Sequence, residues 1–168
     1  RADHDTGRVD LVDDAGALGG DRRARVTGAG LFAESQKLGE QLDWKESGVL
    51  GSDSVVTAKL GGKLLWFWGD TNLGHYPLGI FNVSAASTEQ FVPPAKPPLR
   101  PPFTYVSERK TAQGELRPRG VAKVPGDGPT WIWGAITLPD AKGAPHLVAA
   151  AVKTKSEMHA YRWDLVEW

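Results

Sequence analysis

Apolar and polar positions follow a strand-like pattern along residues 54–60 and again along residues 63–68, with Gly61 and Gly62 between them. The first stretch is rich in β-branched side chains and the second in aromatic side chains, and both classes favour strands. Two consecutive glycines favour the tight turns in which both central residues have positive φ. The pattern therefore predicts a β-hairpin with a two-residue loop.

The loop length decides which residues of this hairpin face each other. A two-residue loop pairs Leu60 with Lys63 and places Asp53 opposite Asp70. A three-residue loop would shift every pair by one position. In both registers the two carboxylates lie at the open end of one hairpin.

A second hairpin is predicted further along the chain, and it is followed by a last strand. Residues 130–138 and 146–152 have strand-like sequences, residues 139–145 hold the turn chemistry, and residues 158–168 resemble a strand again. The sequence has 20 Gly and 12 Pro, and no stretch predicts a long helix. Many turns between short apolar strands indicate an all-β protein built from antiparallel sheets.

The chain is expected to begin with a poorly ordered polar lead-in over residues 1–25, followed by the strand-bearing region 26–168. Charged side chains dominate the lead-in, with few apolar residues to bury. Six of the ten residues 93–102 are proline. Because proline lacks a backbone N–H and disrupts both helices and central strands, residues 93–102 are predicted to be an extended linker.

Composition excludes several function classes. The formal net charge is zero, so binding of nucleic acid through bulk positive charge is not expected. No run of 18 apolar residues is present, so no membrane span is predicted. The chain has no cysteine, which excludes disulfides, thiolate metal sites and a cysteine nucleophile.

Trp66 and Trp68 are predicted to share one face of their strand, with Leu65 and Phe67 on the other. Both faces are apolar, as in a strand buried between two layers. The tryptophans therefore suit a core role, and a platform on which sugar rings stack is the functional alternative.

The pair Asp53 and Asp70 is the strongest candidate for chemistry. Opposite residues of an antiparallel pair have Cβ atoms about 4.5–5.5 Å apart, and glycosidic bonds are cleaved by two such carboxyl groups. Two close carboxylates can alternatively hold Ca²⁺, with Asn72 adding an oxygen. The sequence Gly-Asp-Thr-Asn is also good turn chemistry, so a purely structural role is a third interpretation.

Several segments resemble the N-terminal blades of large bacterial β-propeller proteins, which are similar to the five-bladed propeller glycoside hydrolases. The segments that carry the resemblance are residues 26–32, 51–54, 66–72, 76–79, 119–120, 126–132 and 147–149. In those hydrolases an early blade presents an Asp at the start of its innermost strand. The resemblance implies antiparallel propeller blades over residues 26–168 and a secreted or periplasmic bacterial protein.

The resemblance also implies a glycoside hydrolase-like activity with a glycan as ligand. In those hydrolases the catalytic residues are spread over several blades, so the choice of Asp53 and Asp70 as catalytic residues rests on their opposition in the first hairpin. The alternative is a non-catalytic propeller module that binds a glycan or a protein. The candidate substrate-binding residues are Asn72, His75, Tyr76, Trp66, Trp131 and Arg119. No cofactor and no metal other than the Ca²⁺ alternative are expected.

A closed propeller typically has 4–8 blades, whereas this chain supplies about two or three. Its open sheets would expose apolar faces and unpaired edges. We therefore expect a second chain or further copies to complete the propeller, or else a chain that is a fragment. A small β-sandwich or barrel is the alternative architecture.

Overall fold

The computed structural model describes residues 8–10, 19–21, 47–74, 78–89, 101–109 and 116–168. Regular structure in these ranges is almost entirely antiparallel β-strand, with a short 3-10 helix at Ser156–Met158. The strands are β1 (Arg8–Asp10), β2 (Gly19–Asp21), β3 (Val49–Ser52), β4 (Val56–Leu60), β5 (Lys63–Trp68), β6 (Thr71–Leu73), β7 (Gly79–Ile80), β8 (Ser84–Glu89), β9 (Thr104–Tyr105), β10 (Ser107–Arg109), β11 (Leu116–Pro118), β12 (Thr130–Pro139), β13 (Pro145–Thr154) and β14 (Ala160–Glu167).

Two sheets form the body of the described structure. The first sheet has four strands in the order β4-β5-β8-β9, and the second has three in the order β12-β13-β14. A smaller sheet, β3-β6-β7, extends the first one beyond a bend, because β3 leads into β4, β6 follows β5 and β7 leads into β8. Two further pairs are β1 with β2 and β10 with β11. The all-β prediction is confirmed, and none of the sheets in the described ranges closes into a barrel.

The first hairpin has the predicted two-residue loop. Leu60 pairs with Lys63, and the register continues to Val56 opposite Phe67. Gly61 and Gly62 have φ values of 58° and 79°. Both glycines thus occupy the left-handed region that the tight hairpin turn requires.

Replacing Gly62 with Ala is expected to lower the free energy of unfolding by about 1–2 kcal/mol, since an L-residue is strained at this positive φ. Urea denaturation measures the loss. Gly51→Ala is the matched control, because Gly51 has no positive φ and a Cβ there would meet nothing within 4 Å. Equal losses in the two variants would contradict the turn geometry.

The second hairpin and the last strand are also confirmed. β12 pairs with β13 from Thr130 opposite Lys153 to Pro139 opposite Pro145. In the turn, Asp140 Oδ1 accepts hydrogen bonds from the backbone N–H of Lys142 at 2.8 Å and of Ala144 at 2.7 Å. Strand β14 then pairs along β13.

The core lies between the two sheets. From the first sheet, Ala58, Phe67 and Ala85 contribute buried side chains. Leu147 and Ala149 of β13 face them from the second sheet. Because side chains alternate along a strand, every second position of β13 points into this core and the others point away.

The predicted division of β5 into two faces is confirmed. Phe67 lies in the core between the sheets. Trp66 and Trp68 lie on the other face, where each ring meets the edge of Phe103 at a centroid distance of 5.2 Å. The Nε1 of Trp66 donates to Thr88 Oγ1 at 3.0 Å. This face is thus an aromatic cluster built by the first sheet itself.

Two sequence segments fall mostly outside the described residues. Of the predicted lead-in over residues 1–25, only β1 and β2 are described, and they pair with each other. Of the predicted linker over residues 93–102, only Pro101 and Pro102 are described, and Pro101 is buried. In the described part of the chain, no helix has the length and apolar character needed to cross a bilayer.

Candidate functional site

The candidate site lies at the bend between the first sheet and its extension. Val56 pairs with Phe67 on one side of the bend, and Ser52 pairs with Thr71 on the other. Both pairs keep the same register, so Asp53 lies opposite Asp70 as predicted. The backbone N–H of Asp53 donates to the Asp70 carbonyl at 3.1 Å.

The side chains of the two aspartates make different contacts. Asp53 Oδ1 accepts a hydrogen bond from the backbone N–H of Asp70 at 3.1 Å. The carboxylate of Asp70 turns instead toward the second sheet, where Oδ1 accepts from the Trp131 indole Nε1 at 3.1 Å. Asp53 therefore caps the bend, whereas Asp70 joins the two sheets.

The environments of the two carboxylates also differ. Asp53 is exposed and Asp70 is half-buried. Burial raises the pKa of the Asp70 carboxyl above its ordinary value, and the nearby negative charge of Asp53 raises it further. The hydrogen bond from Trp131 acts in the opposite direction because it stabilises the ionised form. The net effect is a pKa of the Asp70 carboxyl above its ordinary value.

Close approach of the two strands at this bend depends on Gly69. A Cβ on Gly69 would lie 3.3 Å from Asp53 Oδ1 and 3.3 Å from the Ser54 Cβ. Ser54 itself has φ of 53°, an uncommon conformation for a residue other than glycine. Sequence reasoning missed the role of both residues, although the glycine directly before Asp70 was a usable signal.

Trp131 is held in place by the start of β12. The backbone N–H of Thr130 donates to Asn82 Oδ1 at 3.0 Å, and the Thr130 carbonyl accepts from the Val83 N–H at 3.0 Å. These two bonds attach the residue before Trp131 to the bend of the first sheet. Sequence reasoning did not identify Asn82, because nothing local indicates a contact across 48 residues.

A chain of hydroxyl groups supports the bend from within. Ser52 Oγ and Thr71 Oγ1 are 3.0 Å apart, and Thr71 Oγ1 and Ser84 Oγ are 2.6 Å apart. The chain links β3, β6 and β8, and both Thr71 and Ser84 are buried. Because Thr71 directly follows Asp70, this buried network restricts the backbone on which the Asp70 carboxylate is mounted.

The other candidate residues are distributed more widely. Asn72 is exposed in β6, opposite Gly51 and Gly79. Trp66 belongs to the aromatic cluster described above, and Arg119 is exposed, with its backbone N–H bonded to the Val106 carbonyl at 3.0 Å. His75 and Tyr76 lie outside the described residues. The structure thus brings Asp70 into contact with both Asp53 and Trp131.

Among the residues the structure describes, no group of three or more His, Asp or Glu side chains is arranged to hold a metal ion. Comparisons with models of protein families, with curated proteins and with solved structures give no match for this chain. The geometry around Asp53, Asp70 and Trp131 is therefore the basis on which a function can be assigned to this chain.

Proposed function

We propose that this protein acts on carbohydrates as a glycoside hydrolase-like enzyme, with Asp70 as the proton donor and Asp53 as the second carboxylate. One observation carries the proposal: two opposed carboxylates occupy different environments, and the one packed against Trp131 has a raised pKa. Pairs of carboxyls whose environments separate their pKa values are typical of sites that divide acid and base roles.

The reaction needs one carboxyl to protonate the leaving glycosidic oxygen and a second to attack the sugar or activate water. Asp70, which is half-buried and has a raised pKa, suits the first role. Asp53, exposed and opposite, suits the second. Opposed strand residues have Cβ atoms about 4.5–5.5 Å apart, so both carboxyls are mounted at the same bend of the sheet.

We further propose that the first sheet is a propeller blade. Its four strands follow one another in an antiparallel order, which is the arrangement of a blade. The second sheet packs on it face to face through a continuous apolar core. The bend carrying Asp53 and Asp70 then lies at one end of this blade, where loops and strand ends of a propeller are accessible to ligands.

A second candidate function is glycan binding without catalysis. It is favoured by the hydrogen bond from the Asp70 backbone to Asp53 Oδ1, which already occupies one oxygen of the proposed second carboxylate. A carboxylate with a capping role and a tryptophan beside it can accept hydroxyl hydrogens and stack on a sugar without any reaction.

Asp53→Asn separates the two functions. Asn keeps a side-chain oxygen for the Asp70 N–H, so we expect the fold to persist and hydrolysis to be lost, with binding retained. Reducing-sugar release from a panel of plant, fungal and bacterial polysaccharides measures hydrolysis, and affinity electrophoresis in the same polysaccharides measures binding.

Glu89→Gln is the matched control for this experiment. Glu89 is exposed at the opposite end of the first sheet, paired with Lys63. It should behave as the wild type. Binding without hydrolysis in the wild type would favour the second candidate, and the absence of both activities across the panel would overturn the proposal.

A further inference from the structure

The face of the second sheet that points away from the core is apolar, and several of its large side chains are exposed in the described structure, although Val152 on the same face is buried. Register places Ile136, Val148 and Glu167 side by side on it, with Gly134, Ala150 and Leu165 at the next level. We call this surface the outer face. Its exposed apolar side chains are Trp133, Ile136, Leu138, Trp163 and Leu165.

The outer face is large for a surface exposed to water. Trp133, Trp163 and Leu165 are 68%, 64% and 78% exposed. Since an aromatic side chain can bury about 150–250 Å², the five side chains together present on the order of 500–700 Å². Such an area is at or above the ~300–600 Å² of the largest patch on a typical monomer. It approaches the ~800 Å² that each partner buries in a standard interface.

Apolar side chains are arranged unevenly along the strands of this face. At one end Trp133 and Trp163 lie together, with ring centroids 6.2 Å apart. Toward the other end the exposed apolar side chains are the aliphatic Ile136 and Leu138. Leu165 lies between these two groups along the strands. We call the group with Trp133 and Trp163 the aromatic half and the group with Ile136 and Leu138 the aliphatic half.

Charges differ between the two ends as well. Beside the aliphatic half, where Glu167 is level with Ile136, Glu167 and Asp140 flank the two ring nitrogens of His146. Beyond the aromatic half, the Lys155 ammonium lies 4.8 Å from the centre of the Tyr161 ring. The face therefore has an end that carries carboxylates and an end that carries an ammonium.

We propose that a second copy of this chain covers the outer face, with the two sheets stacked and their strands running in opposite directions. A two-fold axis across the strands near the level of Leu165 stacks each strand on its own copy, so that Trp133 of one copy meets Ile136 of the other. The same axis keeps the carboxylate-bearing ends of the two copies apart. A two-fold axis along the strands would instead bring the carboxylate ends together.

Two further features favour a second copy. The formal net charge of the chain is zero, so two copies meet without long-range repulsion. A two-fold interface uses the same patch twice and closes on itself, which suits a face whose two halves complement each other. The proposal is independent of the activity assigned to Asp53 and Asp70, and it places a second copy where a closed propeller would have its next blade.

Sedimentation velocity over a range of protein concentrations tests the assembly. We expect the wild type to be a dimer, and we expect Trp133→Lys and Ile136→Glu each to be monomeric with unchanged far-UV circular dichroism. Phe81→Lys is the matched control, since Phe81 is 69% exposed on a different part of the surface and should leave the dimer intact.

Mixing the two monomeric variants tests the direction of the strands. In the proposed arrangement one contact of the mixed dimer pairs the new ammonium of the Trp133→Lys chain with the new carboxylate of the Ile136→Glu chain. The other contact keeps both wild-type side chains, so the dimer should re-form. A monomeric wild type, dimers unaffected by both variants, open-ended oligomers, or no recovery on mixing would each overturn the proposed arrangement.

Discussion

Replacing Asp70 with Asn is expected to slow glycoside hydrolysis by about 10²–10⁴-fold, the usual contribution of a general acid. Asn keeps an oxygen for the Trp131 indole, so the contact between the sheets survives while the transferable proton is lost. Initial rates of reducing-sugar release on the best polysaccharide of the panel measure the effect. Hydrolysis by Asp70→Asn at the wild-type rate would exclude Asp70 as the proton donor.

The pH dependence of the same reaction provides an independent check. Activity that needs a protonated Asp70 falls as the pH rises through the pKa of this carboxyl. Trp131→Phe removes the hydrogen bond that lowers the pKa of Asp70, so the pKa should rise and the alkaline limb of the profile should move to higher pH. A limb that stays in place or moves to lower pH would contradict the assignment.

Protonation of Asp70 also affects stability, with a definite sign. The folded-state pKa is raised above the unfolded value, so the folded protein binds this proton more tightly. The resulting stabilisation of the folded protein is complete at pH values below the pKa of Asp70 in the unfolded chain. It is lost as the pH rises through the pKa of Asp70 in the folded protein. Asp70→Asn should remove this part of the pH dependence of unfolding.

Gly128→Ala is expected to lower the free energy of unfolding by about 2–5 kcal/mol, since a left-handed backbone costs about 1–2 kcal/mol and an overpacked contact costs about 1–3 kcal/mol. Gly128 has φ of 75°, and a Cβ there would lie 1.9 Å from the Thr154 carbonyl oxygen. The clashing atom belongs to the backbone of β13, which cannot move aside as a flexible side chain would. Urea denaturation measures the loss.

Gly143→Ala is the matched control for Gly128→Ala. Gly143 has φ of 83°, but a Cβ there would meet nothing within 4 Å. It should lose only the cost of the left-handed backbone, about 1–2 kcal/mol. The difference between the two variants therefore isolates the contact with Thr154, and equal losses would show that this contact is absent.

The loop around Gly128 also bears on the candidate site. The Tyr161 hydroxyl donates to the Asp127 carbonyl at 2.8 Å, and Arg162 Nη1 donates to the Pro125 carbonyl at 3.2 Å. The loop leads directly into Trp131, the residue that contacts Asp70. A displaced loop would therefore disturb the environment of Asp70 as well as the stability of the protein.

Local sequence was sufficient for the hairpins and for the opposition of Asp53 and Asp70. Gly61 and Gly62 specify a turn with two positive φ values, and this turn fixes the register of both strands. Once the register is set, the alternation of side chains decides which face each residue of β5 occupies. These features depend on neighbours within one hairpin, where the chain itself limits the alternatives.

Contacts between distant segments were decided only by the tertiary structure. The bond from Trp131 to Asp70 joins residues 61 positions apart, and the one from Thr130 to Asn82 joins residues 48 apart. Two other features also depend on how the second sheet packs and how its strands pair. They are the clash that excludes a side chain at Gly128 and the exposed side chains of the outer face. The pattern of apolar residues predicts that a face will be buried. It does not predict which element covers that face, because the packing partner is selected by shape and hydrogen bonding between segments that are distant in sequence.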